Sequence, residues 1–211
     1  MVVVDQEHGW EYDFWQARWT NGPKTALTVS AGGRIRIGAD SGNGLHSYAE
    51  AGDLGLLGGL VRPQELAANR IDHALAVSVP CVQYHDVWPS PSSGTGDGVC
   101  ANGPHLGSLL QLDVSDAVIA KAPPWERAIM RAMKRYGMYV VDTQGGGTTM
   151  YIVTEDDSSF TSFGYQGQMK RFIERRSKRA RAASANPSLI GVPIGLSRLR
   201  VIDPCVPRRT C

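Results

Sequence analysis

Glycine and proline recur along this chain too evenly for long helices to dominate it. The 24 glycines and 12 prolines among 211 residues are spread rather than clustered, which predicts many turns and, between the turns, many short strands. The segments between them carry the two-residue alternation of half-buried strands. The best of these is Ile71 to Pro80, where Ile71, His73, Leu75, Val77 and Val79 alternate with Asp72, Ala74, Ala76 and Ser78. Met1 to Asp5 and Trp10 to Thr20 read as strands, with shorter ones at Ala26 to Ser30 and Arg34 to Ile37. Gly38 to Gly59 is glycine-dense and aperiodic, and reads as a long surface loop.

One helix is predicted in mid-chain. Pro123-Pro124-Trp125 opens it, Ala128, Ile129, Ala132, Met133 and Tyr136 recur at helical spacing, and Gly137 ends it. A helical turn or two is expected at Arg62 to Ala68, with Pro63 at the first helical position. A hairpin is expected between Met138 to Asp142 and Thr148 to Val153, joined through Gln144-Gly145-Gly146-Gly147. The expectation is a mainly β fold, a β-sandwich of jelly-roll type with one mid-chain α-helix. It spans 1–211 as a single β-rich domain with a basic surface segment at 169–186.

Cysteines bear on the compartment. Cys81, Cys100, Cys205 and Cys211 form no Cys-x-x-Cys pair, which argues against a zinc ribbon or a thioredoxin-type motif. Cys81 and Cys100 bracket a loop rich in Pro, Ser and Gly, and Cys205 and Cys211 bracket a short tail. Cys81–Cys100 with Cys205–Cys211 is the most local of three connectivities, and closing the first loop would stabilise the fold by about 3 kcal/mol. An oxidised, secreted protein is expected. Met1-Val2-Val3-Val4 runs straight into Asp5, too short for the apolar core of an export signal. Export therefore implies a trimmed or mature chain. No run of about 18 apolar residues exists, so membrane insertion is not expected. A formal net charge of +2 makes no general case for nucleic acid.

The chemistry concentrates on the Trp10 to Thr20 strand. A period of two puts Trp10, Tyr12 and Phe14 on one face and Glu11, Asp13, Trp15 and Trp19 on the other. Two carboxylates on one strand face have roots about 7 Å apart, and glycosidases need paired carboxylates. Indoles beside them would stack on sugar faces. The alternative is that the indoles are core and the acids are solvated edge residues. His73 is a proton carrier if its apolar face lines a cleft, and a satisfied core residue otherwise. Tyr84 and His85, in the cysteine-bracketed loop, suit proton transfer in β-elimination of uronic-acid polymers, and Arg62 suits an anion clamp.

The five histidines show no ligand spacing, no EF-hand loop is present, and the Gly-rich runs lack a phosphate-loop Lys-Ser/Thr. No metal site and no cofactor are expected. Lys170, Arg171, Arg175, Arg176, Lys178, Arg179 and Arg181 crowd into the basic segment against Glu174 alone. That segment reads as a solvated face or as a patch for an acidic polymer. Nucleic acid is not favoured, because only Phe172 interleaves with the charges.

Trp10-Glu11-Tyr12-Asp13-Phe14-Trp15, Gly55-Leu56-Leu57-Gly58-Gly59-Leu60-Val61-Arg62-Pro63-Gln64-Glu65-Leu66, Arg70-Ile71-Asp72-His73-Ala74-Leu75 and Arg135-Tyr136-Gly137-Met138-Tyr139-Val140-Val141-Asp142 together resemble a group of exported proteins of actinobacteria and soil bacteria. The resemblance runs from Val2 to Val153. It implies export and an association with polysaccharide degradation, and it brings no established set of catalytic residues. The expected function is a secreted carbohydrate-active enzyme cleaving a polysaccharide, a glycoside hydrolase ahead of a lyase. The catalytic residues would be Asp13, Glu11 and His73, with Trp15, Trp19, Arg62, Tyr84 and His85 holding substrate. A non-catalytic carbohydrate-binding module and an envelope or phage structural protein are the alternatives.

Overall fold

The computed structural model describes residues 1–20, 26–38, 49–91, 98–144, 150–155, 196–203 and 205. The basic segment 169–186, the turn 145–149 and Cys211 lie outside them. The described chain is mostly β with few helices, and its sheets are open.

Strands β1 (Val2–Asp5), β2 (Trp10–Trp15) and β5 (Ala31–Arg36) form a three-stranded antiparallel sheet with β2 in the middle. A small ribbon pairs β3 (Arg18–Trp19) with β4 (Leu27–Thr28). The expected strand from Trp10 to Thr20 is thus two strands. Gln16 between them has φ +50, a left-handed conformation that redirects the chain.

The larger sheet has the order β10-β7-β8-β6-β9, built from β6 (Leu75–Val79), β7 (Leu109–Leu112), β8 (Met138–Thr143), β9 (Tyr151–Ile152) and β10 (Leu199–Ile202). Its β6 and β8 run parallel, whereas the other pairs are antiparallel. A parallel pair needs a crossover, and α3 (Pro124–Arg135) lies on the connection. Two expectations are corrected here. The jelly-roll sandwich, an antiparallel arrangement, is not what these strands form. Nor do β8 and β9 make a hairpin: β6 lies between them and pairs with both. Among the described residues α3 is joined by α1 (Pro63–Ala68), where a helical turn or two was expected, and by α2 (Asp116–Ile119), which was not expected.

Alternation along β6 and β8 serves both faces of the large sheet. Leu75, Val77 and Val79 of β6, with Met138 and Val140 of β8, belong to the main core with Leu66 of α1 and Ile129, Ala132 and Met133 of α3. On the other face Ala76 and Val141 pack with Leu54, and Leu56, Tyr139 and Val153 cover them. The segment 49–60 therefore lies against the large sheet. Gly52 donates its N–H to the Val141 carbonyl at 2.8 Å and Ala76 donates to the Gly59 carbonyl at 3.0 Å. A Cβ at Gly59 would stand 2.8 Å from the Ala76 nitrogen, so only glycine lets the two backbones meet. The other side of this segment faces the small sheet, where it meets Glu11 and Asp13. The order of layers is helices, large sheet, loop, small sheet.

Cys81 and Cys100 are disulfide-bonded, as expected. Cys205 is also in a disulfide.

Candidate functional site

The acids of β2 point inward and its aromatics lie on the outside. Glu11 and Asp13 are buried, Asp13 completely, whereas Trp10, Tyr12 and Phe14 are half-buried. This sets aside the alternative in which the indoles are core and the acids are solvated edge residues. Backbone donors from the loop explain it. Leu56 N–H donates to Asp13 Oδ2 at 3.2 Å, and Leu57 N–H donates to Glu11 Oε1 at 2.7 Å. Carboxylates that accept amide hydrogen bonds can be buried at a bearable cost. The two acids are neighbours on one face of β2, two residues apart. Burial, and then the neighbouring Glu11 charge, push Asp13 up to about 7, against the opposing pull of the Leu56 N–H. Asp13 therefore holds its proton more firmly than an ordinary carboxyl does. Asp13 Oδ1 is buried with no hydrogen-bond partner.

Glu11 also forms part of the wall of a cleft of about 460 Å³, shared with Arg36, Arg62, Trp88 and Tyr139. Tyr139 is half-buried, and desolvation raises its phenol further above 10, so it keeps its proton at any physiological pH. Gly55, Gly58 and Gly59 border the same space. A Cβ at Gly55 would come within 3.2 Å of Glu11 Oε2, which is how the loop closes over the acid.

The other expected site residues lie elsewhere or are already engaged. His73 is not on a strand face, because β6 begins only at Leu75. It sits in a bend with Nδ1 2.8 Å from the Ala74 carbonyl and Nε2 2.8 Å from Glu65 Oε1. Both ring nitrogens are thus occupied, and His73 ties α1 to the start of β6. Arg62 borders the cleft, but its guanidinium is turned back to the carbonyls of Leu57 and Leu60 and to Glu65. It caps α1, where Glu65 in turn accepts from the Arg62 N–H at 2.8 Å. Trp15 is 51% exposed at the end of β2, and Trp19 belongs to the separate ribbon. Tyr84 is 62% exposed and edge-on to His85 at 4.9 Å, while the His85 carbonyl faces His105 Nδ1 at 2.6 Å. None of these four lines the cleft.

Sequence reasoning passed over Arg36, Trp88 and Tyr139. Tyr139 could have been found, since alternation along Met138 to Val141 puts it opposite the core-facing Met138 and Val140. Trp88 carries no such signal. Among the described residues, no group of three or more His, Cys, Asp or Glu side chains could hold a metal ion, and no helix is long and apolar enough to cross a membrane. No protein-family model, no curated protein and no solved structure matches this chain.

Proposed function

We propose that the chain is a secreted enzyme that cleaves an acidic polysaccharide by proton transfer in the Glu11 cleft. The observation that carries this reading is a buried pair of carboxylates on one strand face, Asp13 raised to about 7 by burial and by its neighbour, with Glu11 on a cleft wall. Perturbed carboxylates beside a cleft are where acid–base chemistry is expected. The Cys81–Cys100 disulfide supports an oxidising, extracellular setting.

Of hydrolysis and elimination, the arrangement favours elimination. Carboxylates that work across a glycosidic bond stand roughly 5–10 Å apart on opposite sides of it, whereas Glu11 and Asp13 share one strand face and act from one side. In elimination Glu11 removes the proton on the carbon next to a uronate carboxylate. The carbon–oxygen bond one carbon further breaks, a carbon–carbon double bond forms between the two carbons, and the departing oxygen takes the Tyr139 phenol proton. Glu11 then returns its proton through solvent to Tyr139. Arg36, exposed at the cleft rim, pairs with the uronate carboxylate and so acidifies the carbon being deprotonated. Asp13 is a positioning residue: it holds its proton beside Glu11 and keeps the pair oriented.

Incubation with polygalacturonate and with a neutral glycan tests this reading. Unsaturated uronate absorbance should grow on the acidic polymer only, and Glu11→Gln should lower the rate about 100-fold or more while leaving the thermal midpoint close to wild type. Reducing ends without that absorbance would overturn elimination in favour of hydrolysis. Full activity in Glu11→Gln, or no product from either polymer, would overturn the enzyme reading and leave a binding module.

A further inference from the structure

The outward face of the three-stranded sheet reaches the cleft through Arg36, and it is an aromatic surface edged by arginines. Cross-strand register sets Trp10 opposite Arg36, Tyr12 opposite Arg34 and Phe14 opposite Gly32. Residues two apart on a strand share a face, so all six belong to the side opposite Glu11 and Asp13. Gly32 lets the Phe14 ring lie down: a Cβ there would stand 2.5 Å from Phe14 Cδ1. Tyr12 continues the platform, its ring 6.4 Å from that of Phe14 and within 18° of parallel. Arg34 and Arg36 place their guanidinium carbons 4.5 Å and 5.2 Å from the centre of the Trp10 ring. Both arginines are exposed, and neither meets a carboxylate within ion-pair distance among the described residues.

We infer that this face is a docking surface for an extended acidic polysaccharide, the aromatic platform taking the flat carbon–hydrogen faces of the sugars and Arg34 and Arg36 taking carboxylates. Aromatic rings offer area at little conformational cost, and a guanidinium already stacked on an indole is pre-organised for a planar carboxylate. Two arginines match a chain bearing one charge per sugar. Single-stranded nucleic acid would call for a denser track of cations along its phosphates. Arg36 belongs to this face and also to the cleft, so a polymer lying on the platform continues into it. The inference shares its substrate class with the proposed function but concerns binding, which is read separately from cleavage.

Affinity electrophoresis of the full chain tests it, through gels containing polygalacturonate, a neutral mannan, or no polymer, with a single-stranded oligothymidylate competitor in a parallel series. Polygalacturonate should retard the wild-type chain and mannan should not. Arg34→Gln and Tyr12→Leu should each weaken retention about tenfold, while cleavage of oligomers too short to span both regions stays at the wild-type rate. Glu11→Gln should be retained as well as wild type. Equal retention of wild type, Arg34→Gln and Tyr12→Leu would overturn the inference, as would loss of retention in Glu11→Gln alone, which confines the polymer to the cleft. Stoichiometric displacement by oligothymidylate would overturn it in favour of nucleic acid. If cleavage fails while Arg34-dependent retention persists, only the enzyme reading falls. If retention fails while cleavage persists, only this inference does.

Discussion

The two sheets of this protein handle alternation in opposite ways. In the large sheet, both phases of the alternation along β6 and β8 are apolar: Leu75, Val77, Met138 and Val140 face the helices, and Ala76 and Val141 face the loop. Among the described residues, the small sheet packs on the loop and not on a helix. Its inward residues Glu11 and Asp13 are ionisable, and its larger apolar rings face outward. Apolar burial holds the large sheet together, whereas polar satisfaction fastens the small one through two amide donors of the loop. Such a region places an ionisable group, Asp13, where burial makes it hold its proton more firmly than usual.

Truncating a core side chain should break the comparison most sharply. Leu75→Ala empties a fully enclosed position and should destabilise the fold by about 2–5 kcal/mol, measured by denaturant unfolding. A change of similar size on the outer face of the small sheet should be far milder.

A smaller, pH-dependent effect belongs to Asp13. Its carboxyl is raised from an ordinary 3.8 to about 7, so the folded state binds this proton more tightly than the unfolded state does. The stabilisation is complete below pH about 4 and is lost as pH rises through about 7. Asp13→Asn removes that dependence. The thermal midpoint of wild type relative to Asp13→Asn should therefore fall between pH 4 and pH 8, by several degrees if about 1 kcal/mol corresponds to roughly 2–4 °C in a chain of this length. A constant difference across that range would mean that Asp13 titrates normally.

The smallest effect is expected at Arg34. Its guanidinium is exposed and stacked on Trp10, and Arg34→Gln should change stability by less than about 0.5 kcal/mol. A larger loss by denaturant unfolding would make the arginine–indole stack a structural element of the sheet.

Much of the large sheet was legible because its code is local. Alternation in Ile71 to Pro80, helical spacing in Pro124 to Tyr136 and proline at the first turn of α1 each reflect neighbours in sequence. The strand β7 was not, since Leu109-Leu110-Gln111-Leu112 has no β-branched residue and only four positions. Pairing was less legible still: β9 follows β8 in sequence but bonds to β6, a choice made by non-local contacts. The site was half legible. Two carboxylates on one face of β2 stood out, but which face is buried depends on the amides of Leu56 and Leu57, more than 40 residues away. His73 misled because a histidine in an apolar alternation gives no hint that Glu65 and the Ala74 carbonyl will claim both its nitrogens.

The loop that fastens the two acids also leaves a vacancy. Gly55 and Gly59 are hemmed in by Glu11 and Ala76, but Gly58 between them borders the cleft with no atom within 4 Å of where a Cβ would stand. The same five-residue stretch is thus rigid at its ends, where the backbone is clamped, and open to substitution at its fourth position. Selection or an engineer could resize the mouth of the cleft there one side chain at a time, leaving the two acids and both sheets as they are.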